Sequence, residues 1–150
     1  MNGPPANRMA IAVLSLVGFF ICMYLISHFY GWTGPLVCGV GDCGAVQASP
    51  YAQIRGIPLS VFGVAGYVLL LVTSFVGIQP GKRDSRLVSV VLLAAASFGV
   101  GVSGYLTYLE AAVIHAWCQW CVISAVLMTL IFLASLVELR RFRNHGEEAS

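Results

Sequence analysis

Trp117-Cys-Gln-Trp-Cys-Val-Ile-Ser-Ala-Val-Leu-Met-Thr-Leu-Ile-Phe-Leu-Ala-Ser-Leu-Val137 is an apolar run with no acidic or basic side chain, and it opens on two cysteines spaced C-x-x-C. A bilayer core about 30 Å thick takes roughly 20 apolar helical residues to cross. The stretch therefore reads as a membrane-spanning helix over about 117–137, with Cys118 and Cys121 at its start. Working outward, three more runs of this kind lie at 87–109, 59–78 and 9–30, also without Asp, Glu, Lys or Arg. The composition agrees: 59% of residues are hydrophobic and 9% charged, against about a quarter charged in a soluble domain. The expected fold is an all-α membrane protein, a bundle of four transmembrane helices forming one domain over 1–150, with a long outside loop between helices 1 and 2. The run at 9–30 exceeds the h-region of about 7–15 residues in a secretory signal, and no small-x-small cleavage site follows it. It is read as a retained helix.

Orientation comes from the 8 basic residues, because short cytoplasmic segments carry an excess of Lys and Arg. Arg8 precedes helix 1, Lys82, Arg83 and Arg86 separate helices 2 and 3, and Arg140, Arg141 and Arg143 follow helix 4. Only Arg55 falls on the other side. Both termini are thus expected in the cytoplasm, with the loop 31–58 and the turn near 110–117 outside. The formal charge of +2 is carried by these flanking residues, and no basic tract or phosphate loop points to nucleic acid. Asn2–Ala6 and Asn144–Ser150 read as frayed tails.

Of the 5 cysteines, all but Cys22 map to the outer face, where disulfides form and persist. On a helix, residues i and i+3 share a face with Cβ atoms about 5–6 Å apart, near the Cα separation of about 4.4–6.8 Å that a disulfide takes. At a helix N-terminus the unpaired N–H groups and the macrodipole favour the thiolate of Cys118, the nucleophile of thiol–disulfide exchange. The other pair, in Leu36-Val-Cys38-Gly-Val-Gly-Asp-Cys43-Gly44, has C-x4-C spacing among glycines, a flexible backbone able to close a small ring and to reposition it. A mobile redox carrier, a structural staple and a zinc site built from all four outer cysteines are the readings open to these pairs.

Together the elements resemble the vitamin K epoxide reductase family, in particular its bacterial disulfide-forming members. They are Cys38-x4-Cys43, Ser49 after it, Tyr51-Ala-Gln-Ile-Arg-Gly-Ile-Pro-Leu-Ser60 leading into helix 2, and Tyr105-Leu-x-Tyr-Leu-Glu110 before Cys118-x-x-Cys121. The resemblance implies a catalytic set of Cys38, Cys43, Cys118 and Cys121 in a bacterial cytoplasmic membrane. A thioredoxin-like protein outside the membrane would be reoxidised at Cys38, Cys43 would exchange with Cys118, and Cys121 would face a membrane quinone, ubiquinone or menaquinone. Ser49, Trp120 and Cys121 are the expected quinone contacts, and no resident metal is implied. The match is to the membrane domain without the fused thioredoxin-like domain of some members, which implies a separate partner. Animal enzymes carry a tyrosine four residues after their C-x-x-C, where this chain has Ala125. The disulfide-bond-forming protein B family places its C-x-x-C in the first outside loop, the reverse of the order here. A metal-handling membrane protein or small transporter with a four-cysteine site is the alternative of another class.

Other features carry plainer expectations. Ala45–Ile54 suits a surface segment lying over the helix mouths, either as a lid that excludes water or as an interfacial loop. Pro58 fits the first turn of helix 2. Trp117 reads as a membrane-interface anchor; Glu110 as a solvated or hydrogen-bonded interfacial acid that could instead orient a backbone group; His115 as a loop histidine; His28 as an end-of-helix residue; and Cys22 as a buried, unreactive thiol. Gly63 and Gly66 on helix 2, with Ser97, Gly101 and Gly104 on helix 3, are expected to allow close helix approach.

Overall fold

A computed structural model describes residues 6–34, 39, 41–79, 81 and 86–149, the side chains of 52, 142 and 145–149 aside. Cys38, Lys82 and Arg83 lie outside the described residues. The four apolar runs form α1 (Ala6–Phe29), α3 (Leu59–Ile78), α4 (Arg86–Leu109) and α5 (Gln119–Ala149). Each contains a stretch long and apolar enough to cross a membrane. In hydrocarbon a helix satisfies every interior N–H and C=O within itself, which is why apolar runs of this length adopt it. Helix α1 packs on α3 and α5, and α4 packs on both α3 and α5, so the four close into a ring. Their outward faces are apolar and exposed, with Phe98 76% and Phe20 61% exposed, as lipid-facing surfaces are.

Inside the ring the core is Ile11, Cys22, Tyr67, Leu70, Val88, Leu92, Ala96, Met128 and Ile131. Close approach is made where a glycine meets a large side chain. A Cβ on Gly18 would overlap the Tyr67 ring, one on Gly63 would lie 2.8 Å from Cys22 Sγ, and one on Gly99 would lie 2.6 Å from Met128 Sδ. Of the small residues expected to do this, Gly63 does, whereas Gly66, Gly101 and Gly104 have open space above them, and Ser97 donates its hydroxyl to its own helix at Leu93. Spacing reveals small faces but not which face turns inward. Cys22 is buried and free. The Tyr67 hydroxyl ties α3 to α5 at Ser124, 2.8 Å from its Oγ and 3.1 Å from its carbonyl.

At the end of the bundle that holds the start of α1, Arg8 is 1% exposed. The sequence reading treats it as a flanking charge. Instead its Nε donates to Glu138 Oε1 on α5 at 2.6 Å, and its other nitrogens reach the Gly77 carbonyl on α3 and Ser89 Oγ on α4. Ser89 in turn donates to Glu138 Oε1 at 2.7 Å. A guanidinium taken out of water needs a carboxylate and several acceptors, and α3, α4 and α5 supply them to Arg8 of α1 here. Helix α5 continues as 31 residues through Asn144 to Ala149, where the sequence suggests a frayed tail.

At the opposite end, the segment joining α1 to α3 contains a short helix α2 (Cys43–Ala48), a 3-10 turn (Pro50–Ala52) and a small hairpin of β1 (Gln53–Ile54) and β2 (Ile57–Pro58). Its turn puts Arg55 and Gly56 at positive φ. Pro58 caps α3 from just outside it rather than sitting in its first turn: with φ −63° and ψ 142° it is extended, and the helix begins at Leu59. The ring of His28 at the end of α1 meets the Gly34 carbonyl at 3.2 Å.

Candidate active site

The C-x-x-C pair owes its position to how α4 stops. Glu110–Ile114 widens into a single π turn, and His115 follows in the left-handed conformation at φ 56°. The Ala116 N–H returns to the Glu110 carbonyl at 3.1 Å, closing the helix in the manner of a Schellman end. Ala116 and Trp117 then link the turn, outside any helix or strand, to Cys118. Single π turns of this kind often mark functional sites.

Cys118 lies just ahead of α5 and acts as its N-cap. The Cys118 carbonyl accepts the first helical bond, from Val122 N–H at 3.0 Å. Its Sγ accepts the Cys121 N–H at 3.4 Å, as a capping side-chain oxygen accepts the N–H at N3. The two cysteines thus occupy the cap and N3 positions, with the first sulfur turned toward the positive end of the helix. The Cys118 thiol is pulled below the ordinary thiol range, to about 7, first by a hydrogen bond from Cys121. Burial opposes this, while the Cys121 N–H and the Gln47 amide assist and the charge of Glu110 opposes.

The loop comes to this sulfur through backbone pairing. Gly41 forms an antiparallel bridge with Cys118, and Asp42 N–H donates to the Trp117 carbonyl at 2.7 Å. Gly41 sits at φ 85°, and a Cβ there would overlap the Trp117 carbonyl, so this approach needs glycine. Gly39 N–H adds a bond to Gln119 Oε1 at 2.8 Å. Asp42 caps α2 by accepting Ala45 N–H at 3.0 Å. The result is one buried cluster in which Cys43 and Cys118, both 0% exposed, pack with Val46, and Cys121, Trp120, Ile114 and Ala116 close around them. Cys43 is in a disulfide, whereas Cys118 and Cys121 are free.

Two residues that the sequence reading leaves in minor roles, or does not single out, touch the two sulfurs of the C-x-x-C pair or their backbone. Gln47, on α2, directs Nε2 at Cys121 Sγ (3.4 Å) and Cys118 Sγ (3.9 Å). Glu110 is 4% exposed rather than solvated, and its Oε2 accepts the Cys118 N–H at 3.1 Å. The only early signal for Gln47 is its i+4 spacing from Cys43, which places both on one helical face. Ser49 ends α2, and its hydroxyl donates to the Val46 carbonyl at 2.8 Å; among the described residues it makes no bond to either sulfur. His115 is exposed on the turn. Trp117 is 46% exposed, as an interfacial ring is.

Trp120 packs edge-on against Tyr24 of α1, with ring centroids 5.4 Å apart and planes at 67°. Together with Val17, Phe20 and Ile21 these rings line an open apolar groove on the lipid side, beside the C-x-x-C turn. A second groove, between α4 and α5, is lined by Thr107, Trp117, Val122, Ala125, Val126, Thr129 and Leu130. Compared with known families, the chain matches the model of the vitamin K epoxide reductase family over residues 9–136. That range takes in both cysteine pairs, Gln47 and Glu110.

Proposed function

The chain belongs to the vitamin K epoxide reductase family and is a multi-pass membrane oxidoreductase; from that premise we propose that it reoxidises a thioredoxin-like protein outside the cytoplasm and passes the electrons to a quinone. The observation that carries this reading is the shared burial of Cys43 and Cys118, held by the Gly41–Cys118 bridge. Exchange needs one sulfur within reach of another through a mixed disulfide, and the packing of Cys43 with Cys118 in one cluster supports that.

A thiolate of the thioredoxin-like partner attacks Cys38 in the loop disulfide and leaves the loop as a dithiol once the partner has formed its own disulfide. Cys43 then attacks Cys118 Sγ of the oxidised helix pair, the Cys118–Cys121 bond breaks, and the electron pair stays on Cys121. Cys38 attacks Cys43, re-forms the loop disulfide and releases Cys118 as a thiolate. Two electrons and two protons have then moved from the partner to the helix pair. The state of the structure, with Cys43 oxidised and Cys118 and Cys121 free, matches the end of this handover. A Cys118 thiol at about 7 is a good leaving group near neutral pH. Cys118 is fully buried among Cys43 and Val46 of α2 and Ile114, Ala116, Trp120 and Cys121, which keeps water and stray thiols from it.

A quinone, when bound, accepts two electrons and two protons and so supplies the oxidising power. The groove of Val17, Phe20, Ile21, Tyr24 and Trp120 fits a flat apolar ring that enters from lipid, and Trp120 stands next to Cys121 in the chain. Those residues would hold it. The Lys and Arg bias of the sequence supports cytoplasmic termini and a cysteine-bearing face turned outward, in a bacterial inner membrane. A four-cysteine zinc site needs four thiolates, which a disulfide at Cys43 does not leave.

The handover is tested by Cys38→Ala, which leaves Cys43 without its resolving thiol. After the helix pair is oxidised, a Cys43–Cys118 mixed disulfide should accumulate and appear in peptide maps. A link from Cys43 to Cys121 instead, or no link, defeats the reading.

A further inference from the structure

Helix α2 is 6 residues long and carries Cys43 and Gln47 at i and i+4, on one face. Cys43 belongs to the buried cluster with Cys118, while the Gln47 amide nitrogen stands 3.4 Å from Cys121 Sγ and 3.9 Å from Cys118 Sγ. The same short helix therefore brings an exchanging sulfur to one member of the C-x-x-C pair and an N–H donor to the other. An amide has two N–H groups, so both sulfurs can be served at once.

We propose that Gln47 is a catalytic residue of the exchange step, its carboxamide donating to the thiolate that Cys121 becomes when Cys43 attacks Cys118. The inference rests on the relay described above and assigns it a leaving-group stabiliser. The S–S bond between Cys118 and Cys121 breaks, the Cys43–Cys118 bond forms, and the electron pair leaves on Cys121 Sγ, where Gln47 Nε2–H meets it. A preplaced donor aimed at the atom on which charge develops acts most strongly where water is excluded, and the neighbouring Cys43 and Cys118 are fully buried. When Cys118 is released in the following exchange, the Cys121 N–H, at 3.4 Å, and the second amide hydrogen are in place to receive it. Because donor and attacking sulfur ride on one helix, the helix pair is activated only while α2 is docked. Stray thiols that reach the site with α2 displaced meet a disulfide without its donor.

The test uses the full chain carrying Cys22→Ala and Cys38→Ala, trapped as the Cys43–Cys118 mixed disulfide so that Cys121 is the one remaining thiol. Its alkylation rate by iodoacetamide is followed against pH in three forms: with Gln47, with Gln47→Leu and with Gln47→Glu. The other titratable groups that act on Cys121 are Glu110 on the turn, Cys118, now in the disulfide, and Cys22, removed here; Glu110 is common to all three forms. At neutral pH, loss of a hydrogen bond to a charged group should slow alkylation in Gln47→Leu by about tenfold or more. In Gln47→Glu, where a carboxylate faces the developing thiolate, it should slow further. Both losses should fade as pH rises and Cys121 ionises unaided. Identical profiles for Gln47 and Gln47→Leu overturn the proposal, as does an equal, pH-independent slowing in both variants, which would mark a packing role. If no mixed disulfide can be trapped even with Gln47 present, the relay reading itself fails, so the two failures are distinct.

Discussion

The buried carboxylate of Glu110 accepts the backbone N–H of Cys118 at 3.1 Å, across the π turn that ends α4. The bond fixes the peptide on which the first cysteine of the pair is mounted. Removing the acceptor leaves a buried N–H unsatisfied, at a cost of about 1–3 kcal/mol. Glu110→Ala should therefore lower stability in detergent by about that amount and slow turnover, while Glu110→Gln, which retains an acceptor oxygen, stays close to the parent. Denaturant titration together with partner-dependent quinone reduction checks both. Equal behaviour of Glu110→Ala and the parent would remove Glu110 from the site.

Cys118 is the thiolate that the proposed relay releases, so its ionisation governs how readily it leaves Cys43. With its titration near 7, its alkylation should rise about tenfold per pH unit below that value and level off above it, because only the thiolate reacts. The largest cause is the hydrogen bond from Cys121, so Cys121→Ala should displace the profile to higher pH. Alkylation of Cys118 measured from pH 5 to 10, with and without Cys121, decides the point; an unmoved midpoint contradicts this cause.

Gly41 is required twice over, by its φ of 85° and by the Trp117 carbonyl against which a Cβ would press. A left-handed conformation costs a residue with a Cβ about 1–2 kcal/mol, before the overlap is counted. Gly41→Val should therefore reduce the yield of the Cys43–Cys118 trap by about tenfold or more, while α1, α3, α4 and α5 remain folded by circular dichroism. Undiminished trapping would show that the bridge does not deliver Cys43.

Arg8 and Glu138 form a pair with side chains only 2% and 9% exposed. Breaking a buried pair from one side strands the other charge and typically costs about 3–5 kcal/mol, whereas replacing both by apolar residues can be nearly neutral. Arg8→Leu and Glu138→Leu should each destabilise the bundle strongly, and the double variant should recover most of the loss. A double-mutant cycle on denaturation midpoints measures the coupling; purely additive losses would mean that the pair does not act as one unit.

Hydropathy alone made the four spans legible, because crossing lipid demands long uncharged runs, and α3 at Leu59–Ile78 is read to the residue. The C-x-x-C motif likewise announced where α5 begins, within two residues. What the sequence did not disclose depends on irregular backbone. The burial of Glu110 follows from a π turn and a left-handed His115, neither of which has a periodic signature. Gln47 meets the sulfurs because α2, too short to show amphipathic periodicity, docks by a β-bridge at Gly41. Arg8 looked like an ordinary flanking charge because its mate, Glu138, lies at the far end of the chain. The Ser49 hydroxyl, expected near sulfur or quinone, donates to the Val46 carbonyl at the end of α2, a local bond that spacing does not show.

The central claim, that thiol electrons cross from the loop pair to the helix pair and on to a quinone, is met most directly by anaerobic mixing of a reduced thioredoxin-like protein, the purified chain and a quinone, with quinone absorbance followed in time. The account predicts quinol formation that depends on the reduced partner and disappears in both Cys118→Ala and Cys121→Ala. Full turnover in either variant, or no quinol with ubiquinone or menaquinone, would contradict it.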